Sequence, residues 1–336
     1  MSLETEWLGL TLKNPFVPSA SPFSRSLDAA KQLEDAGASA IVMYSLFEEA
    51  VQNEEEGMVR FLHHQDHGNA EATSFLPDHD DFPSELDRYL EQISSLKATL
   101  DIPIVASLNG ISNSGWLEHA CEIQDAGANA LELNVYYVAA SLWEDGREVE
   151  QRYVDLLETL KEEIEIPINM KLSPYFSSLG HLIKSLDDRE VDGISLFNRF
   201  YQPDINIDAL RLQHSLHPSH SSDSLLAMRW IAMLYERTSC SLGATGGVHT
   251  ADDAIKLLLA GADVVHLCAS LMQQGPKHLT KIITQVENWM DEQNFETIDE
   301  FRGRVSQSSV VDPSAFERLN YVRLIDSHSS KPGIWS

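Results

Sequence analysis

Leu259-Ala260-Gly261-Ala262, followed by Val264-Val265-His266-Leu267, has the same grammar as two earlier stretches. These are Glu34-Asp35-Ala36-Gly37-Ala38 before Ala40-Ile41-Val42-Met43, and Gln124-Asp125-Ala126-Gly127-Ala128 before Ala130-Leu131-Glu132-Leu133. In each, a helix ends on glycine, which takes the left-handed conformation that closes a helix C-terminus without steric cost. A short, nearly continuous apolar run follows, of the kind that a parallel sheet buries on both faces. Helix and strand therefore alternate.

Two more strands share an Ile-Pro-Ile entry, Ile104 to Ser107 and Ile168 to Leu172, with proline at the strand start where it removes no ladder hydrogen bond. Phe16 to Ala20, Gly193 to Phe197 and Ser241 to Thr245 complete eight strands. Amphipathic stretches separate them at Glu85 to Leu100, Ser112 to Gly127, Glu148 to Ile164, Leu225 to Thr238 and Thr250 to Gly261. Eight β-then-α units predict an α/β chain folded as a single-domain (β/α)8 barrel. A doubly wound open sheet is the alternative, weakened because no Gly-x-Gly-x-x-Gly follows the first strand. The barrel is expected over residues 1–306, with 307–336 a polar C-terminal appendage. Two connections, Glu48 to Pro83 after strand two and Arg199 to Ser224 after strand six, exceed plain loops. Both leave C-terminal strand ends, where barrel sites are built, so they are expected to roof a site or contact another subunit.

The 336 residues carry 24 Lys plus Arg against 52 Asp plus Glu, a formal net charge of −28, with 43% hydrophobic residues. That composition supports a folded core, and with no basic run to offset the acidity it speaks against nucleic-acid binding. The N-terminal residues lack a basic leader, and no apolar run approaches the ~20 residues of a membrane span, so a cytoplasmic protein without membrane contact is expected. Cys121, Cys240 and Cys268 lie far apart and do not make an iron–sulfur or zinc site by themselves.

Gly243-Ala244-Thr245-Gly246-Gly247-Val248 ends strand seven and leads into a helix whose start, Thr250 to Asp253, resembles a capping box. Paired glycines let backbone N–H groups approach a phosphate, and barrels hold phosphates between the loops after strands seven and eight. The strand-eight partner is Cys268-Ala269-Ser270, with Cys268 read as a small packing residue beside the phosphate. A tight turn without ligand would use the same glycines.

Several motifs in order resemble the dihydroorotate dehydrogenase family of FMN barrels, class 1-like. They are Lys13-Asn14-Pro15-Phe16 with Ser19-Ala20-Ser21-Pro22, Asn169-Met170-Lys171-Leu172-Ser173-Pro174-Tyr175, Gly243 to Val248, Gly275-Pro276, and Asp299-Glu300-Phe301-Arg302-Gly303. The resemblance runs from about Leu8 to Ser306. It implies an FMN-dependent oxidoreductase in which hydride moves between a CH–CH substrate, nominally dihydroorotate, and flavin N5, in pyrimidine biosynthesis. It implies that Ser19, Ala20 and Ser21 pass beside the flavin ring with Tyr44 and Ser45, and that Lys171 sits near flavin N1 and O2. Asn134 and Asn198 would contact flavin or substrate, and Thr245, Gly246, Gly247, Cys268 and Ala269 would cradle the phosphate. A cation at a barrel mouth is costly to bury unless it meets negative charge, which suits Lys171 to this role. Family precedent implies a homodimer.

The departures concern substrate chemistry. Where the family carries a Cys or Ser base after Asn134, Val135-Tyr136-Tyr137-Val138-Ala139 puts Tyr137. With an ordinary pKa near ~10, Tyr is a poor base at neutral pH, so Tyr137 is read either as a proton donor in the reductive direction or as an aromatic lid. Tyr44 stands where the family has a second lysine. In the substrate loop, Ala72-Thr73-Ser74-Phe75-Leu76-Pro77-Asp78 has Ala72 and Asp78 at positions where the family carries Asn. Losing amide donors and a lysine makes the pocket less hospitable to a carboxylate, while Arg199 beside Asn198 either restores an anion contact or is a surface arginine. His63, His64, His67 and His79 crowd the strand-two loop with acids, but a polar loop lacks the fixed second shell that a metal needs, so no metal is expected. Three alternatives follow: a reductase for another pyrimidine-like or unsaturated substrate, a flavin-bearing protein passing electrons to a redox partner, and a flavin-free phosphate-binding isomerase or synthase.

Overall fold

Short strands whose residues alternate between large apolar and small or polar side chains can close a barrel, one face meeting helices and the other filling the interior. The computed structural model, which describes residues 1–51, 84–110, 113–318 and 320–321, shows this pattern. An N-terminal hairpin of β1 (Thr5–Trp7) and β2 (Leu10–Leu12) precedes β3 (Phe16–Pro18), β4 (Ile41–Val42) and β5 (Leu46–Phe47). Then come β6 (Ile104–Asn109), β7 (Ala130–Asn134), β8 (Ile168–Leu172) and β9 (Gly193–Leu196). A second hairpin, β10 (Asp204–Asn206) with β11 (Arg211–Gln213), precedes β12 (Ser241–Thr245) and β13 (Val264–Leu267). The parallel ladder runs β3-β13-β12-β9-β8-β7-β6-β4, with β5 extending the pairing to β6. Its two ends are tied by Ser39 N–H donating to Phe16 C=O at 3.1 Å, so the barrel is nearly closed.

Along β6, Ile104, Ala106 and Leu108 join the large core against the helices, while Val105 joins a smaller cluster with Val17, Val42, Ala130 and Val264. That smaller cluster lines the interior at the N-terminal end. Trp7, Leu8 and Leu12 of the first hairpin plug it; Leu8 N–H donates to Ser241 Oγ at 3.0 Å. Gly193 admits the plug, since a Cβ there would sit 2.4 Å from Leu8 Cδ2.

The helices include α1 (Leu27–Asp35), α2 (Glu85–Thr99), α3 (Asn113–Asp125), α4 (Gly146–Glu163), α5 (Leu179–Asp187), α6 (Ser224–Leu234), α7 (Ala251–Ala260), α8 (Ala269–Gln274) and α9 (Lys277–Gln293). Three expected strands, Ile168–Leu172, Ser241–Thr245 and Val264–Leu267, coincide with β8, β12 and β13, and the other five differ by a few residues at one end or both. The Arg199 to Ser224 connection, expected to exceed a plain loop, contains the β10–β11 hairpin. Past Ser306 the chain stays on the barrel: Gln307 N–H donates to Ala232 C=O at 2.7 Å, and Arg229 Nε to Phe316 C=O at 2.5 Å. No helix among the described residues is long and apolar enough to cross a membrane.

The expected capping box at α7 forms, Asp253 N–H donating to Thr250 Oγ1 at 3.3 Å and Asp253 Oδ2 accepting from Thr250 N–H at 3.0 Å. Burial pulls the Asp253 carboxyl upward, but donors from Ser221, the His249 backbone and Thr250 outweigh it and hold it below the ordinary aspartate value. A carboxyl lowered on folding stabilises the native state above its unfolded pKa and loses that contribution as pH falls through its folded pKa. Asp253→Asn is therefore expected to lower stability by about 1 kcal/mol at pH 7. Urea midpoints measured down the pH scale should show the gap to wild type closing below about pH 4.

Candidate active site

Above the apolar plug, the inward-facing positions become polar. Ser107 on β6, Glu132 on β7, Asn169 on β8, Ser195 on β9 and His266 on β13 are all buried. Asn169 Nδ2 donates to Glu132 Oε2 at 3.2 Å and to Ser195 Oγ at 3.0 Å, and Ser195 Oγ lies 3.3 Å from His266 Nε2. Gly243 makes room for this layer, because a Cβ would fall 2.6 Å from Ser195 Oγ and 2.9 Å from His266 Nε2. Burial first, and the Lys171 cation second, push His266 down to about 3, so its ring is neutral at physiological pH.

One step toward the C-terminal strand ends stands Lys171, its side chain 8% exposed, with Nζ 3.2 Å from Glu132 Oε1 and 3.4 Å from Ser19 Oγ. β-Sheet register places it beside Asn134, which in turn pairs with Asn109. Asn198, just after β9, donates its amide to Asn134 Oδ1 in a short hydrogen bond. The mouth thus has one buried cation and three amides from β6, β7 and the β9 loop. Asn109 was missed from the sequence; its signal was the third inward position on a strand read as ending at Ser107.

The loops after β3, β12 and β13 meet on one side of the mouth. Cys268 Sγ lies 3.9 Å from Ala20 C=O, and burial raises its thiol pKa against the opposing pull of Lys171. Gly246 has φ of +94° with open space where a Cβ would point. At Gly247, φ +77°, a Cβ would lie 2.4 Å from Ser224 N, so only glycine lets the chain before α6 come this close. Ser270, two residues past Cys268, is fully buried with its hydroxyl unpartnered.

Tyr137 is half-buried, and its hydroxyl donates to Glu144 Oε2 at 2.5 Å. Arg152 from α4 pairs with the other Glu144 oxygen and lies 4.6 Å over the Tyr137 ring. The neighbouring Tyr136 stacks on Phe200 at 4.0 Å, with Tyr175 tilted against the same ring. Tyr44 meets Tyr89 of α2 edge-on at 5.1 Å, under Arg25 at 4.1 Å. Ser45 Oγ is 2.9 Å from Ser107 Oγ, which brings it to the polar layer. Arg199 is partly exposed and pairs with Asp223 at 3.3 Å. Ala72, Asp78 and the histidines of the strand-two loop lie outside the described residues.

The family model for dihydroorotate dehydrogenase matches residues 2–290. The chain belongs to the dihydroorotate dehydrogenase family. It is 26% identical over 306 residues to dihydroorotate dehydrogenase A (fumarate) of Lactobacillus helveticus, covering 88% of this chain and 96% of that one. The catalytic subunit of dihydroorotate dehydrogenase B (NAD(+)) of Geobacillus sp. is 24% identical over 317 residues, covering 90% and 95%. The corresponding subunit of Methanothermobacter thermautotrophicus is 25% identical over 211 residues, covering 60% and 69%.

Within this member of the family, the Glu132–Lys171 pair is also a stability constraint, because either charge alone would be stranded in the barrel. Lys171→Gln is expected to destabilise by roughly 3–5 kcal/mol. Adding Glu132→Gln should restore most of the loss, measured as urea midpoints of the single and double variants.

Proposed function

We propose that the protein is an FMN-dependent dehydrogenase or reductase acting on the CH–CH or C=C bond of a small polar ring, with dihydroorotate as the nominal substrate. The observation that carries this reading is the buried Lys171, held by Glu132 and beside Asn134, which pairs in turn with Asn109 and accepts from Asn198. FMN, when bound, would supply the hydride-accepting and hydride-donating centre. Lys171 would hold its ring, with Ser19, Ala20, Ser21 and Ser45 lining the same part of the mouth. Gly246, Gly247, Cys268 and Ala269 suit its phosphate, since the glycine at 246 leaves open space where a Cβ would point. The amides of Asn134 and Asn198 orient a ring that both donates and accepts hydrogen bonds.

For the proton, Tyr137 is the group at the position after β7, and it works with Glu144. A phenol can take a proton from carbon at neutral pH only by passing its own onward, and Glu144, 2.5 Å away, is the acceptor. In the reductive direction Tyr137 donates, and the Arg152 guanidinium over its ring stabilises the phenolate left behind.

A second substrate reading, another pyrimidine-like or unsaturated ring, is favoured by Tyr44. Its ring is packed on Tyr89, so that position offers no lysine for a substrate carboxylate. An anaerobic visible spectrum of the protein with FMN, before and after dihydroorotate, separates the readings: bleaching supports the family substrate, whereas an oxidised flavin reduced only by dithionite supports another ring or an electron-transfer role with a redox protein. With whichever substrate turns over, Tyr137→Phe is expected to lower kcat by about 10²-fold or more with little change in KM. Wild-type turnover in that variant would make Tyr137 a packing residue.

The homodimer expected from the family finds support in the β10–β11 hairpin, where Ile205, Ile207, Leu210 and Leu212 are exposed. Ile207→Glu with Leu210→Glu should shift the mass measured by light scattering from dimer to monomer.

A further inference from the structure

Glu132 is an unusual residue inside a barrel strand: 1% exposed, with both carboxylate oxygens engaged by donors from the next strand. Oε1 faces Lys171 Nζ and Oε2 faces Asn169 Nδ2, each at 3.2 Å. The second N–H of Asn169 runs to Ser195, and Ser195 to His266, so residues of β7, β8, β9 and β13 fix the carboxylate in place. His266 is neutral and adds no charge to the layer. The two formal charges, Glu132 and Lys171, cancel. Lys171 keeps its lateral contact with Ser19 Oγ at 3.4 Å, so its ammonium is tethered on two sides.

We propose that Glu132 is a positioning residue that sets the reduction potential of the flavin, by holding the Lys171 ammonium at the floor of the mouth while cancelling much of its charge. The inference rests on the FMN reading above and deepens it. A lone ammonium against the flavin ring would favour the anionic reduced form strongly, because Coulomb interactions are strengthened where water is excluded. A paired ammonium still donates a directed hydrogen bond but presents little net charge. The carboxylate therefore keeps the bound flavin at a lower potential than Lys171 alone would give, and makes the reduced protein the stronger electron donor.

The test is an anaerobic redox titration of full-length, FMN-loaded protein with dithionite and a reference dye. Glu132→Gln, which keeps shape and removes charge, is expected to shift the reduction equilibrium at least tenfold toward the reduced form, about 30 mV upward for a two-electron couple. Glu132→Asp, which keeps the charge, is expected to stay within threefold of wild type. Glu132→Gln within twofold of wild type overturns the proposal and leaves the flavin reading intact. If that variant does not fold, Glu132→Gln with Lys171→Gln strands no charge and decides the matter: an equilibrium within threefold of wild type supports a cancelling pair. A fall of more than tenfold shows that Lys171 acts as an uncompensated cation and overturns it. A wild-type protein that takes up no FMN overturns both this proposal and the reading beneath it.

Discussion

A carboxylate and an ammonium 3.2 Å apart inside a parallel barrel set the terms for much of the structure around them. Each ion costs several kcal/mol to remove from water, and the pair is tolerable only when its geometry is good and the remaining donors and acceptors are satisfied. The neighbours answer that demand. Asn169 takes the second carboxylate oxygen, Ser19 shares the ammonium, and Ser195 holds Asn169 in turn. Glycine at 243 follows from the same packing, because Ser195 and His266 fill the space that a Cβ would need. Burial keeps His266 neutral, and Lys171 opposes a second cation beside it.

The two ends of the barrel divide the work. Trp7, Leu8 and Leu12 close the N-terminal end with an apolar plug. At the other end of the polar layer lies the mouth, where Asn109, Asn134, Lys171 and Asn198 stand. Strands fix Asn109, Asn134 and Lys171 to within the rigidity of a ladder, and preorganised donors stabilise charge because they need no rearrangement when it develops.

The sequence displayed this frame clearly and the site chemistry only partly. Gly37, Gly127 and Gly261 take positive φ where the helix-ending phrases placed them, because a glycine at a helix C-terminus satisfies a purely local requirement. Lys171 stood out because a cation inside an apolar strand has nowhere to snorkel. Glu132, its partner, passed as one letter in an apolar run, since pairing across β7 and β8 depends on register that no local pattern states. The N-terminal hairpin was likewise hidden: three-residue strands carry too little periodicity, and Trp7 is buried through contacts with distant strands. Glu144 and Arg152 could not be linked to Tyr137 until the β7 loop folded back on α4.

Strand-borne and loop-borne residues follow different physical constraints here. A change at Glu132, Asn169 or Lys171 strands a buried charge or an unpaired amide, so the interior holds its composition as a unit. Tyr44 and Tyr137 answer to no such requirement: they leave the barrel at strand ends, and their rings find aromatic and guanidinium neighbours outside it. Chemistry at these positions can alter while the floor of the mouth stays as it is. Under the proposed function, electron handling would rest on the strand-borne residues, and the choice of ring that enters the mouth on the loop-borne ones.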